Sequence, residues 1–161
     1  MNQDNPQAIS DQLVSTFDLS SIVMKLTEKS PCTGWASDRV SSAIKWYRRF
    51  LRLCQLYPSE SLVPPPDADE VWHTHILFTH KYMSDCEQIF GHYLHHCPST
   101  LEEVVDMKGL QRTHSLFVAH FSESPFLCYG GISNADDPAL LPCGNCRDCS
   151  RDPFNIEYNS M

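Results

Sequence analysis

Ala68-Asp69-Glu70-Val71-Trp72-His73-Thr74-His75-Ile76-Leu77-Phe78-Thr79-His80-Lys81-Tyr82-Met83-Ser84-Asp85-Cys86-Glu87-Gln88-Ile89-Phe90 runs without a glycine or proline and stops at Gly91. Val71, Trp72, Ile76, Leu77, Phe78, Tyr82, Met83, Ile89 and Phe90 spread apolar side chains over much of a helical circumference. A helix apolar on most sides sits at the centre of a fold. The stretch therefore predicts one long central helix. Asp67 and Asp69 favour its N-terminus, and Gly91 ends or kinks it.

Working upstream, Leu62-Val63-Pro64-Pro65-Pro66 reads as a rigid, extended connector. Before it, Val40, Ile44, Tyr47, Leu51 and Cys54 recur at alternating spacings of four and three, one helical stripe. Ser37 or Asp38 can cap that helix, and Tyr57-Pro58 should end it. Asp18 to Ser20 can cap a short helix carrying Ile22, Val23 and Leu26, and Asn5-Pro6 opens another ahead of it. Downstream, Ser99-Thr100-Leu101-Glu102-Glu103 holds two overlapping capping-box patterns. They predict a last helix running to about His120, weakened or split at Gly109. After Ser124-Pro125 the periodicity dissolves. The expected fold is all-α: a small helical bundle of four to five helices around the long central helix. It divides into a helical domain over 1–124 and an irregular Cys-rich tail over 125–161.

The 161 residues are 42% hydrophobic, which suits one core. The formal net charge of -8 argues against nucleic acid and anionic membranes as partners. Lys45, Arg48, Arg49 and Arg52 form a basic cluster that reads as a solvated helix face. The N-terminus lacks the basic start and apolar run of a signal peptide. No apolar stretch approaches the ~18–20 residues of a membrane helix. A cytoplasmic location is expected. There, the 8 cysteines read as core residues, metal ligands or redox groups, not a disulfide framework.

The chemistry concentrates in the central stretch. His73 and His75 form a His-x-His pair, but on a helix two residues turn ~200°, so the rings point to nearly opposite sides. Asp69 and His73 are one turn apart and can share an ion. A carboxylate with an imidazole suits zinc or iron. Another segment must complete the site. An antiparallel last helix would bring His120 near His73, and His75, Cys86 and His96 stand as reserves. Direct meeting of His96 with His73 is harder on a straight helix. From His73 to Phe90 is ~25 Å, and five extended residues return at most ~17 Å. The ordinary alternative is a core histidine held by a hydrogen bond. In the tail, Cys143, Cys146 and Cys149 make a Cys-x-x-Cys-x-x-Cys run. Three thiolates so spaced can wrap one soft ion if a fourth ligand joins them.

Leu62 to Leu77, continuing through Tyr82, Asp85-Cys86-Glu87 and Phe90-Gly91, resembles the glycine-rich domain-containing protein-like family, its short bacterial members above all. Gly34-Trp35 ahead of Tyr47-Arg48-Arg49-Phe50-Leu51 is similar too, as are Ile76 to Thr79 and His95-His96. The resemblance implies little chemistry. It implies a Cys- and Gly-rich tail, of which Cys143 to Cys149 look like a glycine-poor version.

Three functional readings follow. The first is a metal-binding helical domain, zinc or iron, with Asp69, His73 and His120 as the core set and the tail thiolates as a separate cluster. The second is a metal-dependent enzyme, a hydrolase or non-haem iron oxidase, using the His73 site. The third is a non-catalytic interaction module docking an acidic protein partner through Arg48, Arg49 and Arg52.

Overall fold

A computed structural model describes residues 14, 16–28, 34–98, 106–126 and 144–145. Among the described residues, five helices carry the fold. They are α1 (Ser20–Thr27), α2 (Ser37–Leu56), α3 (Pro66–Leu77), α4 (Thr79–Phe90) and α5 (Met107–Phe121). Cys97–Pro98 (β1) pairs antiparallel with Gly144–Asn145 (β2), Cys97 opposite Asn145. The all-α bundle expected from periodicity is what forms. No helix among the described residues is long and apolar enough to cross a membrane.

The stripe on α2 buries Val40, Ala43, Tyr47, Phe50, Leu51, Leu53 and Cys54. Its start differs in detail from expectation: Ala36 is the N-cap, and Ser37 and Asp38 lie inside the first turn. There Asp38 favours the helix dipole instead of capping. The proline run delivers the chain straight into α3. Pro65 is its N-cap and Pro66 its first residue, where a missing N–H costs nothing. Val71 and Trp72 of α3, Phe50 of α2, Tyr82 of α4 and Phe117 of α5 are all sealed from solvent. Each such side chain contributes about 1.5–3 kcal/mol by burial.

The connector is pinned to α5. Val63 N donates to Thr113 Oγ1 at 2.9 Å, and Thr113 Oγ1 donates to Gly109 O at 2.9 Å. Asp106 caps α5 by accepting from Gly109 N at 2.8 Å. Gly109 therefore sits in the first turn and does not split the helix. The capping boxes at 99–103 and the helix expected from Pro6 lie outside the described residues.

The main departure is in the central stretch, which forms two twelve-residue helices instead of one long one. Phe78 ends α3 and begins α4, with φ -85° and ψ 62°. Its N–H reaches back to His75 O at 3.0 Å, and its carbonyl accepts from Tyr82 N at 2.9 Å. No glycine or proline marks the bend. Tertiary contacts across it do: Trp72 Nε1 donates to Tyr82 Oη at 2.8 Å, and His75 Nε2 lies 3.0 Å from Asp85 Oδ2. Both pairs are ten residues apart, which on a straight helix is ~15 Å of rise. Neither contact survives unless the chain bends between them.

Candidate metal centre

α3 sets Asp69 and His73 one turn apart, with His73 Nδ1 3.9 Å from Asp69 Oδ2. α4 then runs to Gly91, whose left-handed backbone (φ 72°, ψ 8°) closes the helix. That conformation is natural for glycine and strained for other residues. The chain folds back through 92–96 and brings His96 onto α3. His96 Nε2 lies 2.9 Å from Asp69 Oδ1. The rings of His73 and His96 stack at 4.5 Å between centroids, 22° from parallel. Trp72 packs on His96 at 4.2 Å between centroids.

Asp69, His73 and His96 each offer one ligand atom, and these atoms all lie within 4.8 Å of one another. The group can therefore hold a metal ion. The side chains of Asp69 and His96 are 4% and 3% exposed, and that of His73 is 35% exposed. His96 Nδ1 is buried without a hydrogen-bond partner, an arrangement that costs about 1–3 kcal/mol unless something compensates it.

The bend at Phe78 is what admits His96. A straight helix would have carried the chain too far along its axis to return, which is why His96 ranked as a reserve in sequence. With α4 starting a new direction after Phe78, five residues suffice. His96 and not His120 joins Asp69 and His73.

The other expected ligands are elsewhere. His75 faces away from His73, as the helical turn requires, and is 1% exposed. Its Nδ1 meets Tyr47 Oη at 2.9 Å. Its Nε2 stands beside Asp85 without hydrogen-bond geometry, and Asp85 also takes Lys81 Nζ at 2.9 Å. Burial pulls the pKa of His75 down to about 4, with Lys81 adding to the effect and Asp85 opposing it. His75 is thus a neutral core histidine. Cys86 is buried in α4, and burial pushes its thiol pKa up, the reverse of a poised thiolate ligand. His120 is exposed on α5, with Nε2 2.7 Å from Tyr57 Oη. His92 follows Gly91, where the helix has ended, and its Nδ1 lies 3.0 Å from Phe90 O. Cys143, Cys146 and Cys149 lie outside the described residues.

Sequence reasoning also left the bracing of the site unread. Trp72 touches His96 with its ring and Tyr82 with its indole N–H, and Tyr82 Oη donates onward to Leu94 O. This links α3, α4 and the returning segment two residues before His96. Burial raises the pKa of the Tyr82 hydroxyl, so it stays protonated as a donor.

A bent helix pair and the segment returning from it, presenting together a carboxylate and two imidazoles, define the protein as a helical domain with a candidate metal cluster. Residues 10–123 match the family described as UCP032817-like, and the chain belongs to that family. It is also similar to "Glycine-rich domain-containing protein 1" of Arabidopsis thaliana, at 36% identity over 66 residues. That match covers 41% of this chain and 8% of the plant protein. The chain thus spans a small part of that relative's length. No solved structure matches the chain.

Proposed function

We propose that Asp69, His73 and His96 bind one transition-metal ion, zinc or iron, and that the chain is a metal-binding helical domain. The observation that carries this reading is the convergence of three donor atoms within 4.8 Å from segments 27 residues apart. The donor set supports it. One carboxylate and two neutral imidazoles are a recurrent ligand set for zinc and for non-haem iron.

A second reading is metal-dependent catalysis at the same place. It is favoured by the partial exposure of His73, which leaves one side of the cluster open to solvent. Three protein ligands with one open position is the arrangement of hydrolytic zinc. The body over 1–124 and the tail over 125–161 are proposed as two domains that meet where Cys97–Pro98 pairs with Gly144–Asn145, with any thiolate site of the tail using its own ligands.

The test is metal content by mass spectrometry on tag-free, full-length protein prepared without oxygen. Wild type should carry about one equivalent, and His73→Ala and His96→Ala should each lose most of it while keeping their helical circular dichroism. A Cys143→Ser/Cys146→Ser/Cys149→Ser variant should keep its metal. Metal retained in both histidine variants but lost in the cysteine variant would move the site to the tail.

A further inference from the structure

The second feature of note lies between α2 and α5, and it shares no residue with the histidine cluster. Lys45, Arg48, Arg49 and Arg52 line a groove of about 690 Å³ whose apolar walls include Ile44 and Phe121. The four cations fall at i, i+3, i+4 and i+7 of one helix, hence on one face. They are four of the 12 lysines and arginines in a chain of net charge -8. A solvated face explains exposed cations. It does not explain why they border a concavity with an apolar interior.

The cations are held in place. Arg48 donates to the carbonyl oxygens of Val14 and Phe17 at 3.0 and 2.7 Å, and its guanidinium lies over the Phe17 ring. Arg49 lies over Phe121 and Trp46. Aromatic faces attract a guanidinium and limit its wandering. Arg48 thus makes these hydrogen bonds to neutral acceptors, while the Asp18 and Asp85 carboxylates lie within electrostatic reach of its guanidinium. Glu123, just beyond α5, shows how an anion is received here. Its carboxylate accepts from Lys45 Nζ at 2.9 Å and from Arg49 Nη1 at 2.6 Å.

We propose that this groove binds a small anionic amphiphile, a molecule with a carboxylate or phosphate head and an apolar body. The volume falls within the ~300–1,000 Å³ typical of small-ligand sites. The cations supply charge-assisted hydrogen bonds to the head, and Ile44 and Phe121 take the body. The negative charge of the whole chain disfavours a polyanion, whose long-range repulsion grows with its charge, but scarcely opposes a single head group. Glu123 competes for the same cations from within the molecule.

The experiment is an amide NMR titration of the full chain with octyl phosphate, octanoate, octan-1-ol and inorganic phosphate. Either anionic amphiphile should shift the amides of 45–52 and 120–121 saturably, and at least ten-fold more tightly than octan-1-ol or inorganic phosphate. Tighter binding of octyl phosphate assigns a phosphate head, and equal or tighter binding of octanoate a carboxylate. A Lys45→Gln/Arg52→Gln variant, which spares Arg48 and its backbone contacts, should bind at least ten-fold more weakly. Glu123→Gln should bind several-fold more tightly, a gain that damage to the fold cannot produce. The proposal is overturned by octan-1-ol binding as well as the anions, by indifference to both charge variants, or by no saturable shifts.

Discussion

His96 Nε2 stands 2.9 Å from Asp69 Oδ1, and the two side chains bury each other from segments 27 residues apart. On the proposed reading the carboxylate has two separable tasks, to hold His96 and to act as a ligand. Asp69→Asn keeps the shape and a hydrogen-bonding oxygen but removes the charge. It should lower metal affinity at least ten-fold in a competition assay with a chromophoric chelator. Its urea midpoint with metal stripped should stay close to wild type. Asp69→Ala strands His96 and should lose about 1–3 kcal/mol in the same metal-free unfolding experiment. Wild-type affinity in Asp69→Asn would remove the carboxylate from the ligand set.

The brace behind the cluster gives a second expectation. Tyr82→Phe deletes the acceptor of the Trp72 indole N–H and the donor to Leu94 O. A buried donor left unpartnered costs about 1–3 kcal/mol, read by urea unfolding. Because Leu94 lies two residues before His96, the variant should also release metal faster to a chelator, although it alters no ligand. Unchanged release would show that His96 is held by Asp69 and Trp72 alone.

Much of this arrangement was legible in the residues. The apolar stripe of α2 and the pairing of Asp69 with His73 follow from helical periodicity. So does the opposition of His73 and His75. The bend at Phe78 was not legible, because Leu77, Phe78 and Thr79 are compatible with continued helix and carry no breaker. It is imposed by contacts such as Trp72 to Tyr82, which exist only after folding. Placing His96 depended on that bend, and so a straight-helix argument left it a reserve, while an antiparallel last helix was expected to bring His120 instead. The basic residues of α2 were visible as a stripe, but their groove depends on how α5 packs beside them.

Gly109 illustrates a local rule reversed by packing. In an ordinary first turn, Gly→Ala stabilises a helix by roughly 0.5–1 kcal/mol. Here a Cβ would stand 2.8 Å from Asp106 Oδ2 and 3.0 Å from Val63 Cγ2. Asp106 must then swing away and release its cap, which is worth about 1 kcal/mol. Val63 is fully buried and has little room to yield. Gly109→Ala should therefore destabilise, by about 1 kcal/mol or more, and lower the thermal midpoint by several degrees. A rise in the midpoint would mean that the connector adjusts freely.

The last expectation concerns pH. His75 has a folded pKa of about 4 against 6.5 for the free side chain, because burial disfavours its charged form. Between those values the unfolded chain binds the proton and the folded chain does not, so protons favour unfolding. The contribution of His75 to stability is complete above about pH 6.5 and is lost as pH falls towards 4. The loss is on the order of 3 kcal/mol, the opposing effect of Asp85 being already contained in the folded value. Urea unfolding of metal-free protein across that window should show stability falling with acid. His75→Gln should be less stable at neutral pH, since the buried hydrogen bond between Tyr47 Oη and the ring is lost. It should also show a shallower slope, because nothing at that position remains to be protonated. Equal slopes in the two proteins would assign the acid sensitivity to other groups.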